Sequence, residues 1–151
     1  MKKNIRYTLI AFTTIFLGIQ LIPVDRHNPP VVSDFEGPLE IKTLLKRSCY
    51  DCHSNEVNWP WYSYVAPVSW LVVHDVKEGR EELNFSEWNK YSGDSEMKDE
   101  IIEEIAEGEM PLPIYLVTHR DASVSEQELL VLKQWSGYSA HSHKKDHGDE
   151  D

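Results

Sequence analysis

The chain has 151 residues and a formal net charge of −11. This length suits one domain with its own hydrophobic core and is short for two. A surface this acidic repels nucleic acid and favours a partner with a basic face. The two cysteines lie three positions apart, which excludes a disulfide-rich scaffold, because such scaffolds need more cysteines at wider spacing.

The N-terminus has the charge pattern of an export signal. Lys2, Lys3 and Arg6 precede an uncharged, mostly apolar run at 7–22, and such a run directs the following chain across the membrane. The run has 16 residues, fewer than the roughly 20 of a full span, but no small-x-small cleavage site follows it. We predict a retained signal-anchor at 1–23, and a cleaved signal with a secreted or periplasmic product remains the alternative.

Four helices are predicted in the remainder, and no segment shows the alternation of a strand. A proline-containing linker at 24–37 precedes them. Apolar periodicity places the helices at 38–48, 66–83, 95–107 and 123–137. Ser123 and Glu126 form a predicted capping box at the start of the last helix. The fold class is therefore all-α, with a charged, His-rich and disordered tail at 139–151.

The motif with the clearest chemistry is Cys49-Tyr50-Asp51-Cys52-His53. Two thiols three residues apart on a helical turn can add to the two vinyl groups of one haem, and the next residue then lies under the iron. This pattern predicts haem c, attached through Cys49 and Cys52 and ligated by His53. A zinc site, a redox dithiol and a structural disulfide are the alternatives. A zinc site would need a second pair of ligands at short spacing, which the sequence lacks. A redox dithiol normally starts a helix that follows a strand, whereas this pair of cysteines follows a predicted helix.

Met110 is predicted as the second axial iron ligand, because it lies in an irregular stretch after the third helix where a loop can bring a thioether to a haem. Met97 follows the apolar stripe of that helix and is predicted to be core. His74 and His119 are the rival ligands, and an open or water-bound iron is a further alternative. Four aromatic side chains are predicted to line the haem: Trp59, Trp61, Tyr62 and Trp70.

The chain resembles a family of bacterial haem-binding domains that are similar to cytochromes c. The resemblance covers about residues 19–138. It includes the N-terminal hydrophobic segment, the stretch from Cys49 to Ser54, the blocks Arg26-His27-Asn28-Pro29-Pro30, Asn58-Trp59-Pro60-Trp61-Tyr62, Pro67-Val68-Ser69-Trp70 and Met110-Pro111, and then Tyr115, His119 and the final helix from Ser125 to Trp135. It implies a cytochrome-c-like bundle of about four helices at 38–138 around one covalent haem. Its methionine–proline pair supports Met110 as a ligand, and it implies no particular reaction.

Two functions are compatible with these residues. The first is a one-electron carrier, not an enzyme, held at the bacterial cytoplasmic membrane with its haem in the periplasm and an unidentified redox partner. The second is a five-coordinate haem that senses a gas or reacts with peroxide, for which His74 or His119 would supply a polar distal group. His141, His143 and His147 offer weak metal binding, although a solvated tail is the simpler interpretation.

Overall fold

The computed structural model describes residues 2–138, and its regular secondary structure is helical. The α-helices are α1 (Lys2–Ile19), α2 (Leu39–Ser48), α3 (Tyr50–His53), α4 (Val68–Glu82), α5 (Ser95–Glu107), α6 (Pro113–Leu116) and α7 (Glu126–Ser136). Short 3₁₀ turns lie at Trp61–Tyr64, Trp88–Lys90 and Arg120–Ala122. Residues 2–138 contain no strand, only an isolated bridge between Ser33 and Glu87. The all-α prediction is confirmed, and the predicted tail at 139–151 lies outside the described residues.

The predicted start of the last helix is wrong by two residues. Ser125, not Ser123, caps α7, because its hydroxyl accepts from the Glu128 N–H while the Glu128 carboxylate accepts from the Ser125 N–H. The Ser123 hydroxyl donates instead to the Arg120 carbonyl at 2.9 Å, within the preceding 3₁₀ turn. Both serines precede a glutamate by three positions, so the sequence pattern alone could not choose between them.

The described residues form two compact units. The first unit consists of residues 2–35 and 50–88, and the second consists of residues 36–49 and 89–138. The division falls inside the predicted haem motif. Cys52 and His53 therefore belong to the first unit, whereas Cys49 ends a stretch of the second.

An aromatic cluster forms the core of the first unit. Phe35, Phe85 and Trp88 are each at most 3% exposed, and their ring centroids lie 4.8–6.2 Å apart. The Ser33 N–H donates to the Ser86 carbonyl, and the Trp88 N–H donates to the Ser33 carbonyl, each at 2.9 Å. The segment predicted as a linker thus contributes Phe35 to this core, where aromatic pairs add stability beyond the area that they bury.

Arg80 of α4 also fixes this segment. Its Nε donates to the Ser54 carbonyl at 2.7 Å, and its terminal nitrogens donate to Asn28 Oδ1 at 2.9 Å and to the His27 carbonyl at 3.2 Å. Charged donors make hydrogen bonds stronger than neutral ones do. One guanidinium therefore ties the stretch after α1 to the residue that follows His53.

The apolar side chains of α1 are exposed. Ile5, Phe12 and Leu17 are all more than half exposed. Within residues 2–138, no helix combines the length and the apolar character needed to cross a bilayer, and the predicted N-terminal membrane helix receives no support from the structure. The export signal stays a prediction from the charge pattern.

The second unit is built on contacts of α7 with α2 and α5. Its buried apolar side chains include Ile41, Leu44, Leu45, Ile101, Ile102 and Leu132. The Asp94 carboxylate accepts two backbone N–H groups at the start of α5, and Gly108 ends that helix in the left-handed region at φ 80°. These caps explain why the predicted bounds of α5 are confirmed.

An ion pair joins α2 to α7 in the second unit. Arg47 lies 2.7 Å from Oε1 of Glu128, and a further donor of Arg47 reaches the Ser123 carbonyl at 3.1 Å. The hydrogen bond from Arg47, helped by Ser125, lowers the pKa of Glu128 to about 2. The pair is partly exposed, so its contribution to stability is modest.

We expect Glu128→Gln to lower the melting temperature by about 3 °C at neutral pH, which corresponds to a loss of about 1 kcal/mol. Because the folded state lowers the pKa, this contribution is complete above the pKa of an unfolded glutamate and disappears as the pH falls towards about 2. Thermal melts of both proteins across this range check the prediction. The control is Glu126→Gln in the same helical turn, and a difference that does not shrink with acid would contradict the assignment.

Candidate functional site

The predicted haem motif begins where α2 ends. Cys49 caps α2, with its N–H donating to the Leu45 carbonyl at 2.8 Å, and the next four residues form the short helix α3. Both cysteines are half-buried thiols. Cys49 therefore lies at the junction between α2 and α3, and the other four residues of the motif are helical.

Tyr50, the second residue of the motif, fixes α3 to the core of the first unit. Its ring stacks on Phe85 with centroids 5.2 Å apart and planes at 6°. Its hydroxyl donates to Asp34 Oδ1 at 2.7 Å. Burial, followed by the bond to Asp34, raises the pKa of Tyr50 well above its usual value, so the phenol stays neutral and acts as a structural anchor.

His53 is oriented by α4. Its Nδ1 lies 2.8 Å from the Gly79 carbonyl and 3.2 Å from the Leu83 carbonyl. Because a carbonyl oxygen can only accept, Nδ1 carries the proton and Nε2 keeps a lone pair for a metal. Burial lowers the pKa of His53, which favours the neutral imidazole. A neutral ring whose Nδ1–H is hydrogen-bonded to a backbone carbonyl is the usual state of a metal-ligating histidine.

Gly79 brings the backbone of α4 unusually close to α3. A Cβ at this position would lie 3.0 Å from the Cys52 carbonyl oxygen and 3.3 Å from Cys52 Cβ. A side chain here would require the neighbouring backbone to shift by a few tenths of an ångström, so the residue that supplies the nearer acceptor to His53 also permits the close approach. Gly79 was not among the predicted site residues, although a glycine inside a predicted helix was an available signal.

The surroundings of Cys52 argue against a redox dithiol. Burial raises the pKa of Cys52 to about 12, whereas reactive cysteines have lowered pKa values. The zinc alternative also lacks a ligand set, because within the described range no three His, Cys, Asp or Glu side chains are grouped to hold a metal ion.

A family model described as a haem-binding domain matches residues 14–137. The chain belongs to the haem-binding domain family. The match confirms the family that the sequence resembles, and it makes haem the cofactor of this domain. No curated protein and no solved structure matches the chain.

After the orientation of His53, the buried indole of Trp59 is a second feature that suits a bound haem. Its indole Nε1–H is buried and is the one such side-chain donor, across residues 2–138, that lacks an acceptor. Leaving a buried donor unsatisfied costs about 1–3 kcal/mol. The adjacent Asn58 N–H donates to Asp51 Oδ1 of α3 at 3.1 Å, so the backbone that precedes Trp59 lies beside the motif. A carboxylate of haem is an acceptor that would satisfy the indole N–H.

The other predicted wall residues lie in the first unit. Trp61 and Tyr62 form part of a 3₁₀ turn, with Trp61 78% exposed and Tyr62 half-buried. Trp70 lies on α4 and is exposed. Their roles as haem walls stay predictions. The rival ligand His74 is also on α4, where its exposed Nε2 lies 3.2 Å from Glu78 Oε1.

Met110 and His119 both belong to the second unit, whereas His53 belongs to the first. Met110 is half-buried, and its N–H donates to the Glu104 carbonyl at 3.1 Å, just after the end of α5. The His119 ring stacks on Tyr115 at 4.2 Å, and its Nδ1 lies 3.0 Å from the Thr118 hydroxyl. The identity of the sixth ligand stays a prediction.

Proposed function

We propose that this haem-binding domain carries one covalently attached haem c and transfers single electrons without catalysing a reaction. The proposal rests on the orientation of His53. Its Nδ1 is within hydrogen-bond distance of two backbone carbonyls, which leaves Nε2 for iron. Cys49 and Cys52 have the spacing of thioether attachment. When bound, haem would supply the one-electron redox centre.

The remaining roles follow from the residues near His53. Gly79 and Leu83 would set the orientation and basicity of the imidazole through their carbonyls, which tunes the midpoint potential. Tyr50 would keep α3 rigid through Phe85 and Asp34. The Trp59 N–H would donate to a carboxylate of haem and would shield that carboxylate from water.

We propose Met110 as the second axial ligand, on the sequence pattern Met110-Pro111. Replacing Met110 with alanine is expected to remove the weak red absorption band of methionine-ligated ferric haem and to lower the midpoint potential, because a thioether favours the reduced iron. Visible spectra of the matured protein check this. The matched control is Met97→Ala on α5, and an unchanged band in Met110→Ala would rule Met110 out.

Carbon monoxide separates the carrier from the alternative of a gas sensor or peroxidase-like module. A six-coordinate carrier is expected to bind CO slowly after reduction, because a ligand must first leave, and Met110→Ala is expected to bind it rapidly. Rapid CO binding by the unaltered protein would indicate an open iron and would overturn the carrier proposal.

We also propose that the protein is held at the bacterial cytoplasmic membrane with its haem in the periplasm. Lys2, Lys3 and Arg6 before an apolar run support this orientation. The net charge of −11 supports a redox partner with a basic face and no binding of nucleic acid.

A further inference from the structure

Helix α1 exposes apolar side chains in every direction around its axis. Eight of them, at positions 5, 7, 9, 10, 12, 15, 16 and 17, are 46–72% exposed. At 3.6 residues per turn these positions are spread over the whole helix surface. A groove on a protein would cover one face, whereas lipid covers every face of a single helix.

Two hydrogen bonds fix the end of α1 to the rest of the first unit. Gln20 Nε2 donates to the Ala66 carbonyl at 3.0 Å, and the Ala66 N–H donates to Gln20 Oε1 at 2.9 Å. Ala66 follows the 3₁₀ turn Trp61–Tyr64 by two residues. The side-chain amide therefore sets which surface of the first unit lies beside the end of α1.

That surface combines exposed aromatic rings with a cation, and we call its three residues, Arg26, Trp61 and Tyr64, the aromatic surface. Trp61 is 78% exposed and Tyr64 is 60% exposed. The Arg26 guanidinium lies 4.4 Å from the centre of the Tyr64 ring and donates to the Ser63 carbonyl at 3.1 Å. Trp and Tyr beside a basic residue are the side chains that gather at the headgroup level of bilayers.

We infer that the aromatic surface docks on the anionic headgroup region of the bilayer that receives α1, and that Gln20 holds it there. The inference rests on the proposed membrane location and needs no particular role for the haem. It assigns Trp61 to lipid and leaves the predicted haem wall to Trp59, Tyr62 and Trp70. Arg26 complements anionic lipid in a protein that is otherwise strongly acidic.

The test uses the full-length, haem-loaded, reduced protein labelled with 5-fluorotryptophan, which gives one fluorine signal for each of its five tryptophans. The vesicles contain phosphatidylcholine, phosphatidylglycerol and a lipid with a gadolinium chelate on its headgroup. Trp61→Phe and Trp88→Phe assign the two signals. We expect the Trp61 signal to be lost through broadening and the signal of Trp88, which is 3% exposed, to remain.

Flotation of the same vesicles separates the possible failures. Protein that does not float would overturn the membrane location itself. If the protein floats and the Trp61 and Trp88 signals both remain, the docking alone would be overturned. Gln20→Ala is expected to restore the Trp61 signal without loss of flotation, whereas the control Gln127→Ala is expected to leave it broadened. A Trp61 signal still lost in Gln20→Ala would refute the role of Gln20.

Discussion

Replacing Phe85 with alanine is expected to lower the free energy of unfolding by about 4 kcal/mol. Phe85 is 0% exposed, and its ring lies 5.2–6.2 Å from those of Phe35, Tyr50 and Trp88. Its N–H also donates to the His53 carbonyl at 2.8 Å. Truncation would leave a cavity between these rings and loosen α3, so less haem-loaded protein should accumulate.

Urea denaturation of the variants measures this loss. Phe85→Leu retains most of the volume and is expected to lose less than half as much stability. Trp61→Ala removes an exposed ring and is expected to change the free energy of unfolding by no more than about 0.5 kcal/mol. Equal losses in Phe85→Ala and Trp61→Ala would show that the aromatic cluster is not the core of the first unit.

The second large effect is expected at Gly79. An alanine would place Cβ 3.0 Å from the Cys52 carbonyl oxygen, and overpacking against backbone costs up to about 3 kcal/mol. Alanine gains about 1 kcal/mol of helix propensity over glycine, so the net loss is expected to reach about 2 kcal/mol. If α4 moves away, His53 Nδ1 loses its carbonyl acceptors, the imidazole becomes a weaker donor to iron, and the midpoint potential rises.

Gly18→Ala is the matched control for Gly79→Ala. Gly18 is also helical, but apart from its chain neighbours and the backbone of its own helix no heavy atom lies within 4 Å of its added Cβ, so this change is expected to be neutral or slightly stabilising. Denaturation and potentiometric titration of the two haem-loaded variants give both readouts. A Gly79→Ala protein with the stability and potential of Gly18→Ala would mean that the close approach of α4 does not control His53.

The helices and the motif could be predicted because their signals are local. The apolar spacing of α5 and its stop at Gly108 lie within a few turns of chain, and so does the C-x-x-C-H pattern. The capping error at Ser123 has the same origin, since two overlapping serine–glutamate patterns are equally good locally. Periodicity also cannot detect the four-residue helices α3 and α6, because a helical pattern is recognised only over a window of roughly 11–18 residues.

The contacts that orient the candidate site could not be predicted, because they join residues that are distant in sequence. Gly79 meets His53 across 26 positions, and Tyr50 meets Asp34 across 16. The segment predicted as a linker has no periodicity, yet its Phe35 is buried and Arg80 binds its backbone. Such pairings depend on how the helices pack, which hydrophobic spacing does not specify.

The covalent attachment of haem through Cys49 and Cys52 is tested most directly by the intact mass of the denatured protein after expression with haem-attachment machinery. Both thioethers should survive denaturation, so we expect the mass of the polypeptide plus one haem. The double variant Cys49→Ser, Cys52→Ser is expected to show the polypeptide mass alone. An unaltered protein that loses all of its haem on denaturation would contradict c-type attachment.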